Sequence, residues 1–143
     1  ERLMSKPTSF PTPLPEYGAE PYWEACNREE LAMQRCQGCS RLRWIPGIFC
    51  PDCGSKDAVW ERLSGRGRIT TWTVVTHPVP PAAVDRVPYV VAEIELEEQA
   101  DLRMIAGLVE IEPDAVDFDL PVEVVFSRHP SSEQNLPMFR HTG

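Results

Sequence analysis

The chain has 143 residues, 42% of them hydrophobic and 25% charged, with a net charge of -8. That length fits one ordinary core plus a module too small to fold on its own burial, and no apolar run approaches the ~20 residues of a membrane-spanning helix. The acidity disfavours nonspecific nucleic-acid binding, which depends on Lys and Arg facing phosphates, and without a secretion signal at the N-terminus the expected compartment is the reducing cytoplasm.

Glu1 to Leu3 precede Met4, which resembles a start codon, and are set aside. Pro7, Pro11, Pro13, Pro15 and Pro21 make residues 1–21 an extended arm, because proline removes a helical donor and fixes φ. Such an arm orders only on a surface, so an ordered arm would point to a partner. Tyr22 to Leu31 has helical spacing at Tyr22, Trp23, Cys26 and Glu30, with Pro21 suited to the first turn. Two C-x-x-C knuckles follow, flanking a strand-like stretch from Arg41 to Ile48 that ends at Pro46-Gly47. The helix and ribbon together span residues 22–58.

From Val59 the period changes to two. Five strands are predicted, at about Val59–Leu63, Arg68–His77, Tyr89–Leu96, Leu102–Ile111 and Val122–Ser127. Gly65 and Gly67 permit a bend before the long second strand, Val79–Pro88 is a loop, and Pro113–Asp119 is an acidic connection with room for a helical turn. The predicted fold is therefore mainly β: an N-terminal helix and ribbon, a five-stranded barrel over residues 59–129, and a tail over 130–143. Barrel closure removes exposed strand edges; a sandwich is the alternative.

Cys36-Gln37-Gly38-Cys39 and Cys50-Pro51-Asp52-Cys53 lie ten residues apart and supply four thiolates, the donor set of a closed tetrahedral zinc site. Gly38 and Gly54 are read as the residues that let the knuckles turn. A single iron or a disulfide pair also suits these ligands, but zinc fits best and, with no open position for water, is structural. Zinc-finger peptides gain roughly 10–16 kcal/mol from the metal, more than so small a ribbon obtains by packing. No catalytic residue is assigned: hydrolase, metalloprotease and phosphate-loop signatures are missing. His77 is the histidine best placed to meet a ligand, though a loop-edge residue is the simpler reading. Cys26 reads as a small buried hydrophobe, and Trp60 and Trp72 as core residues rather than a base-stacking platform.

Charge is unevenly spread. Arg35 to Arg68 holds seven basic residues against three acids, whereas Ile69 onward holds four against thirteen. Arg35, Arg41, Arg43, Arg66 and Arg68 are the candidate contacts for phosphates or an acidic partner.

The succession of segments carries a resemblance: the proline arm, Tyr22-Trp23-Glu24, Cys50-Pro51-Asp52-Cys53-Gly54, Gly65 to His77, Pro88-Tyr89-Val90-Val91-Ala92, and Leu120-Pro121-Val122-Glu123-Val124. This order resembles the acyl-CoA-associated zinc-ribbon and OB-fold family, domain of unknown function thirty-five, from about Glu20 to Phe126. The resemblance implies a rubredoxin-like ribbon before an OB barrel, and a non-catalytic subunit of a thiolase-superfamily enzyme acting on acyl-CoA. The partner it implies is a thiolase, an acetyltransferase or a lipid-transfer-protein-like aldolase of steroid side-chain degradation, with catalytic residues on that partner. A CoA thioester shared with the partner and a fused hotdog-fold hydratase domain belong to the same expectation. The rivals are a single-stranded nucleic-acid module and a free-standing enzyme.

Overall fold

The structure, a computed structural model, describes residues 10–16 and 18–143. Met4 and Pro7 lie outside the described residues. Helix α1 (Glu20–Asn27) carries Pro21 in its first turn and buries Tyr22, Ala25 and Cys26 on one face, at the i, i+3, i+4 spacing of a packed helix. It ends where Glu29 takes a left-handed φ of 58°.

Strands β1 (Ala32–Cys36), β2 (Leu42–Arg43) and β3 (Ala58–Arg62) form a three-stranded antiparallel sheet in the order β2-β1-β3. A second sheet follows, of β4 (Arg66–Val75), β5 (Tyr89–Leu96), β6 (Arg103–Gly107), β7 (Pro121–Arg128) and β8 (Asn135–His141), in the order β6-β5-β4-β7-β8. A parallel bridge between Leu108 and Phe139 brings its two outer strands together, and Val109 N–H donates to the Phe139 carbonyl at 2.9 Å. The result is a nearly closed five-stranded barrel with OB connectivity. Its long strand β4 shifts register between Ile69 and Thr71, and a short 3-10 turn at Pro113–Ala115 occupies the acidic connection.

The barrel has five strands, but not the five predicted. The stretch expected as its first strand, Val59–Leu63, is β3 of the ribbon sheet, paired with β1 from Ala32↔Arg62 to Cys36↔Ala58. The segment expected as a tail contains β8, which completes the barrel and buries Phe139 fully. Pro137 misleads here, since proline argues against an interior strand. The ladder explains why it fits: His129 N–H bonds the Gln134 carbonyl, so alternate β8 residues face β7, and Pro137 falls between them with its nitrogen turned away. The strand expected from Arg41 to Ile48 shrinks to Leu42–Arg43, because Gly47 N–H instead donates to the Gln34 side chain at 3.0 Å.

Ribbon and barrel share one core. Tyr22, Cys26, Leu31, Met33 and Leu42 from the N-terminal half pack in one cluster with Ile69, Ile94, Leu96, Val122 and Phe139 from the barrel. Two side-chain clamps reinforce this. The Gln99 amide accepts from Leu42 N–H and donates to Leu42 C=O, each at 2.9 Å. Asn135 Nδ2 donates to the Cys26 carbonyl, and Asn27 Oδ1 accepts from Asn135 N–H, tying α1 to β8.

The start of the described arm, at Phe10 and Pro11, rests on the chain's own surface. The Arg86 guanidinium sits 4.5 Å from the Phe10 ring centroid, and the Pro11 carbonyl lies 3.1 Å from His129 Nε2. Ser131 N–H donates to His129 Nδ1, so the Nε2–H tautomer satisfies both contacts. Arg86 and His129 belong to the β4–β5 and β7–β8 connections, the loops flanking the ligand mouth of OB barrels.

Candidate metal centre and partner-facing surfaces

The two knuckles have the same hydrogen-bond frame. Ser40 N–H donates to the Cys36 carbonyl and Cys36 N–H to the Arg41 carbonyl; Gly54 N–H donates to the Cys50 carbonyl and Cys50 N–H to the Ser55 carbonyl. Each frame places a left-handed residue after its second cysteine, Ser40 at φ 63° and Gly54 at φ 77°. Gly54 therefore serves as expected, whereas Gly38 serves otherwise: a Cβ there would stand 2.8 Å from Ser55 Cβ and 3.1 Å from Cys53 Sγ. Its need is room beside Ser55 and the Cys53 sulfur, not a positive φ.

The four sulfurs lie within 4.8 Å of one another, with Cys36–Cys53 at 3.5 Å and Cys39–Cys50 at 3.7 Å. A zinc tetrahedron with bonds of about 2.3 Å has sulfur–sulfur edges of roughly 3.8 Å, so the spacing fits, and it is far from the ~2.05 Å of a disulfide. The backbone N–H of Cys39 directed at the Cys36 sulfur, aided by Gly38 N–H against the effect of burial, pulls that thiol down to about 6. Cys50 is lowered likewise by the Cys53 N–H, whereas Cys39 and Cys53, despite a backbone N–H bond each, are raised by burial and the neighbouring sulfurs, so the frame favours thiolate at the first cysteine of each knuckle only.

The five candidate arginines divide. Arg35 bonds Glu61 at 2.5 Å, and Arg41 bonds Asp52 at 3.1 Å beside the second knuckle. Arg66 pairs with Glu97, and Arg68 with Glu95 and Asp119, on the rim of a cleft of about 680 Å³. Arg43 is buried: Nε donates to Gln34 Oε1 at 2.8 Å, one terminal nitrogen reaches the Gly47 carbonyl, and the other has no partner among the described residues. The arginines thus occupy two places, Arg35, Arg41 and Arg43 on the ribbon and Arg66 and Arg68 on β4.

His77 is exposed at the end of β4, whereas His129 is buried under the arm. Cys26 is fully buried, and burial pushes its thiol up to about 11 despite a hydrogen bond from Tyr22, as a small hydrophobe should behave. Trp60 and Trp72 both pack, partly buried, against the core. A second groove, of about 670 Å³, was not foreseen; it runs between α1, the ribbon and the outer face of β5–β6. One signal for it is legible in hindsight: Ile105 alternates with Arg103 on the solvent face of β6, an aliphatic residue where the pattern calls for a polar one.

Two family profiles match consecutive stretches of the chain, the ChsH2 rubredoxin-like zinc ribbon domain over residues 23–58 and the ChsH2 C-terminal OB-fold domain over residues 60–127. The chain belongs to the ChsH2 zinc-ribbon and OB-fold family. It is 35% identical over 102 residues to a DUF35 domain-containing scaffold protein of Methanothermobacter thermautotrophicus, covering 71% of this chain and 74% of that one. It is 36% identical to a probable enoyl-CoA hydratase alpha subunit of Thermomonospora curvata, over 98% of this chain but 43% of the relative, so it spans less than half of that protein's length. Among solved structures, a chain described as the Ltp2-ChsH2(DUF35) aldolase superposes with a TM-score of 0.82 at 35% identity, covering 92% of this chain and all of that one. Ribbon membership and sulfur geometry agree in supporting a structural zinc, which Cys36, Cys39, Cys50 and Cys53 could hold between them.

Proposed function

We propose that this ChsH2-family chain is the non-catalytic accessory component of a thiolase-like, Ltp2-type enzyme acting on acyl-CoA, and specifically of a retro-aldolase in steroid side-chain degradation. The observation that carries the reading is the similarity, over the whole of that chain, to a component of the Ltp2-ChsH2(DUF35) aldolase. In this reading the bond-breaking groups belong to the partner. Zinc holds the ribbon's shape, and this chain's residues bind and orient.

Contacts to CoA phosphates or to acidic partner groups fall to Arg41, Arg66 and Arg68, whose side chains are half or more exposed. The pairs of Arg41 with Asp52 and of Arg66 with Glu97 are exposed on both sides and so weakly held, while Arg68 stays anchored to the more sheltered Glu95 and keeps its exposed edge for a ligand. Arg35 is more firmly held by Glu61, and the burial of Arg43 supports a structural role for it. A second reading draws on the hydratase alpha subunits among the relatives: the chain works as one domain beside a fused hotdog-fold hydratase, or serves a thiolase or acetyltransferase. Single-stranded nucleic acid is disfavoured, since Glu93 and Glu95 lie on the β5 face and Phe10 and Pro11 cover the loops such ligands use.

The test is co-expression with the Ltp2-type subunit of the host, followed by light scattering on the purified material and assay of retro-aldol cleavage of a CoA-activated steroid side chain. A stable heteromer whose cleavage depends on this chain supports the reading. Turnover by this chain alone, or no heteromer, refutes it. Arg66→Ala with Arg68→Ala should raise KM for acyl-CoA with kcat little changed.

A further inference from the structure

The groove between α1, the ribbon and β5–β6 has an aromatic floor: the Tyr22 ring lies 4.9 Å from Trp23 and 4.4 Å from Trp44, centroid to centroid. Its rim is aliphatic and unusually bare, with Leu14, Ile45 and Ile105 80%, 76% and 70% exposed. These three come from the arm, the ribbon and the barrel, so all three parts of the fold contribute to one apolar surface. Contiguous apolar surface of this kind marks a docking face, whereas scattered single residues do not.

Charge decides what docks there. The ionisable groups lining the groove are Glu16, Glu93 and Arg103. Arg103 is already engaged with Glu93 at 3.4 Å, Glu95 at 3.6 Å and Asp101 at 3.4 Å, and Glu95 is held by Arg68 as well. The groove therefore meets an approaching molecule with more carboxylate than guanidinium, its single arginine being outnumbered by Glu16, Glu93, Glu95 and Asp101. Coenzyme A, with its phosphates, is the wrong ligand for it, and so is a nucleic acid. An apolar projection edged by Lys or Arg is the right one.

Resting on the accessory-subunit reading, we infer that this groove is the seat of the Ltp2-type subunit, which inserts aliphatic or aromatic side chains between Ile45 and Ile105 and sets basic residues against Glu16 and Glu93. Interface energy concentrates in such central apolar pockets, with the charged rim steering approach.

The experiment measures affinity of the full chain, zinc-loaded, for the Ltp2-type subunit of its host by biolayer interferometry. Variants are Ile45→Glu with Ile105→Glu, the conservative Ile105→Val, and Glu16→Lys; each altered side chain is exposed or changes little, and zinc content and melting temperature verify the fold. The double variant should weaken binding at least 30-fold, Ile105→Val less than 3-fold, and Glu16→Lys should slow association and flatten its salt dependence. Wild-type binding retained within 3-fold by the double variant overturns this seat while leaving the accessory-subunit reading intact. Failure of the wild type to bind the Ltp2-type subunit overturns both. Octanoyl-CoA binding that the double variant abolishes, with protein binding unchanged, overturns the seat and assigns the groove to the acyl chain.

Discussion

Replacing Gln99 tests how the ribbon is fastened to the barrel. The amide of this one side chain serves both backbone groups of Leu42, a residue 3% exposed in a strand only two residues long. Gln99→Ala removes two hydrogen bonds and strands a donor and an acceptor. A stranded buried group costs about 1–3 kcal/mol, and solvent reaching one side of β2 keeps each near the lower end, for a total of about 2–3 kcal/mol. With an unfolding entropy of about 2.1 cal/mol/K per residue, a chain of this length loses about 3 °C per kcal/mol, so the melting temperature should fall by about 7–10 °C. Gln99→Glu keeps an acceptor for Leu42 N–H but faces a carboxylate oxygen toward Leu42 C=O, so it should lose at least half as much. Differential scanning calorimetry on zinc-loaded protein, with metal content checked after the scan, reads both. Melting temperatures within 2 °C of wild type for both variants would show that the clamp carries no stability.

Cys50→Ser should drop bound zinc well below one equivalent by mass spectrometry of metals and abolish the near-ultraviolet circular dichroism of the Tyr22–Trp44 contact, since the metal contributes about 10–16 kcal/mol in comparable peptides. Phe139→Ala should cost about 3–5 kcal/mol in urea unfolding, and removal of residues 131–143 should yield no folded protein, whereas a dispensable tail would tolerate both. The Glu95 carboxyl is held below its ordinary range by Arg68, then by the Asp101 N–H, and more weakly by Arg103. Its stabilisation is complete above the unfolded value of about 4.3 and is lost as pH falls through the lower folded value. The urea midpoints of wild type and Glu95→Gln should therefore differ at pH 7 and converge only as pH falls through that lower folded value.

The four-cysteine cluster was legible because two C-x-x-C pairs encode both chemistry and local turn, and Gly54 took the left-handed turn expected of it; in the first knuckle that turn falls on Ser40 and not on Gly38, because the identity of a glycine does not say which position needs it. Strand membership was not, because a strand's sequence records which faces are buried and not which neighbour supplies the ladder. Ala58–Arg62 alternates like a barrel strand yet pairs with β1, and Asn135–His141 hides its strand behind Pro137. The basic stretch was visible as a count but not as a surface, since the acids that pair with Arg66 and Arg68 lie about 30 to 50 residues away in sequence. The groove was least visible of all, being assembled from three separate segments.

The seam between the two family profiles, at residues 58 to 60, falls inside β3, and the cluster packed across that seam includes Tyr22, Met33 and Phe139. An intact interior therefore needs ribbon and barrel together. A recombination event that exchanged one for a foreign counterpart would leave a half-filled interior and an unmatched strand, so within this lineage the pair should descend, duplicate and be lost as a single cassette.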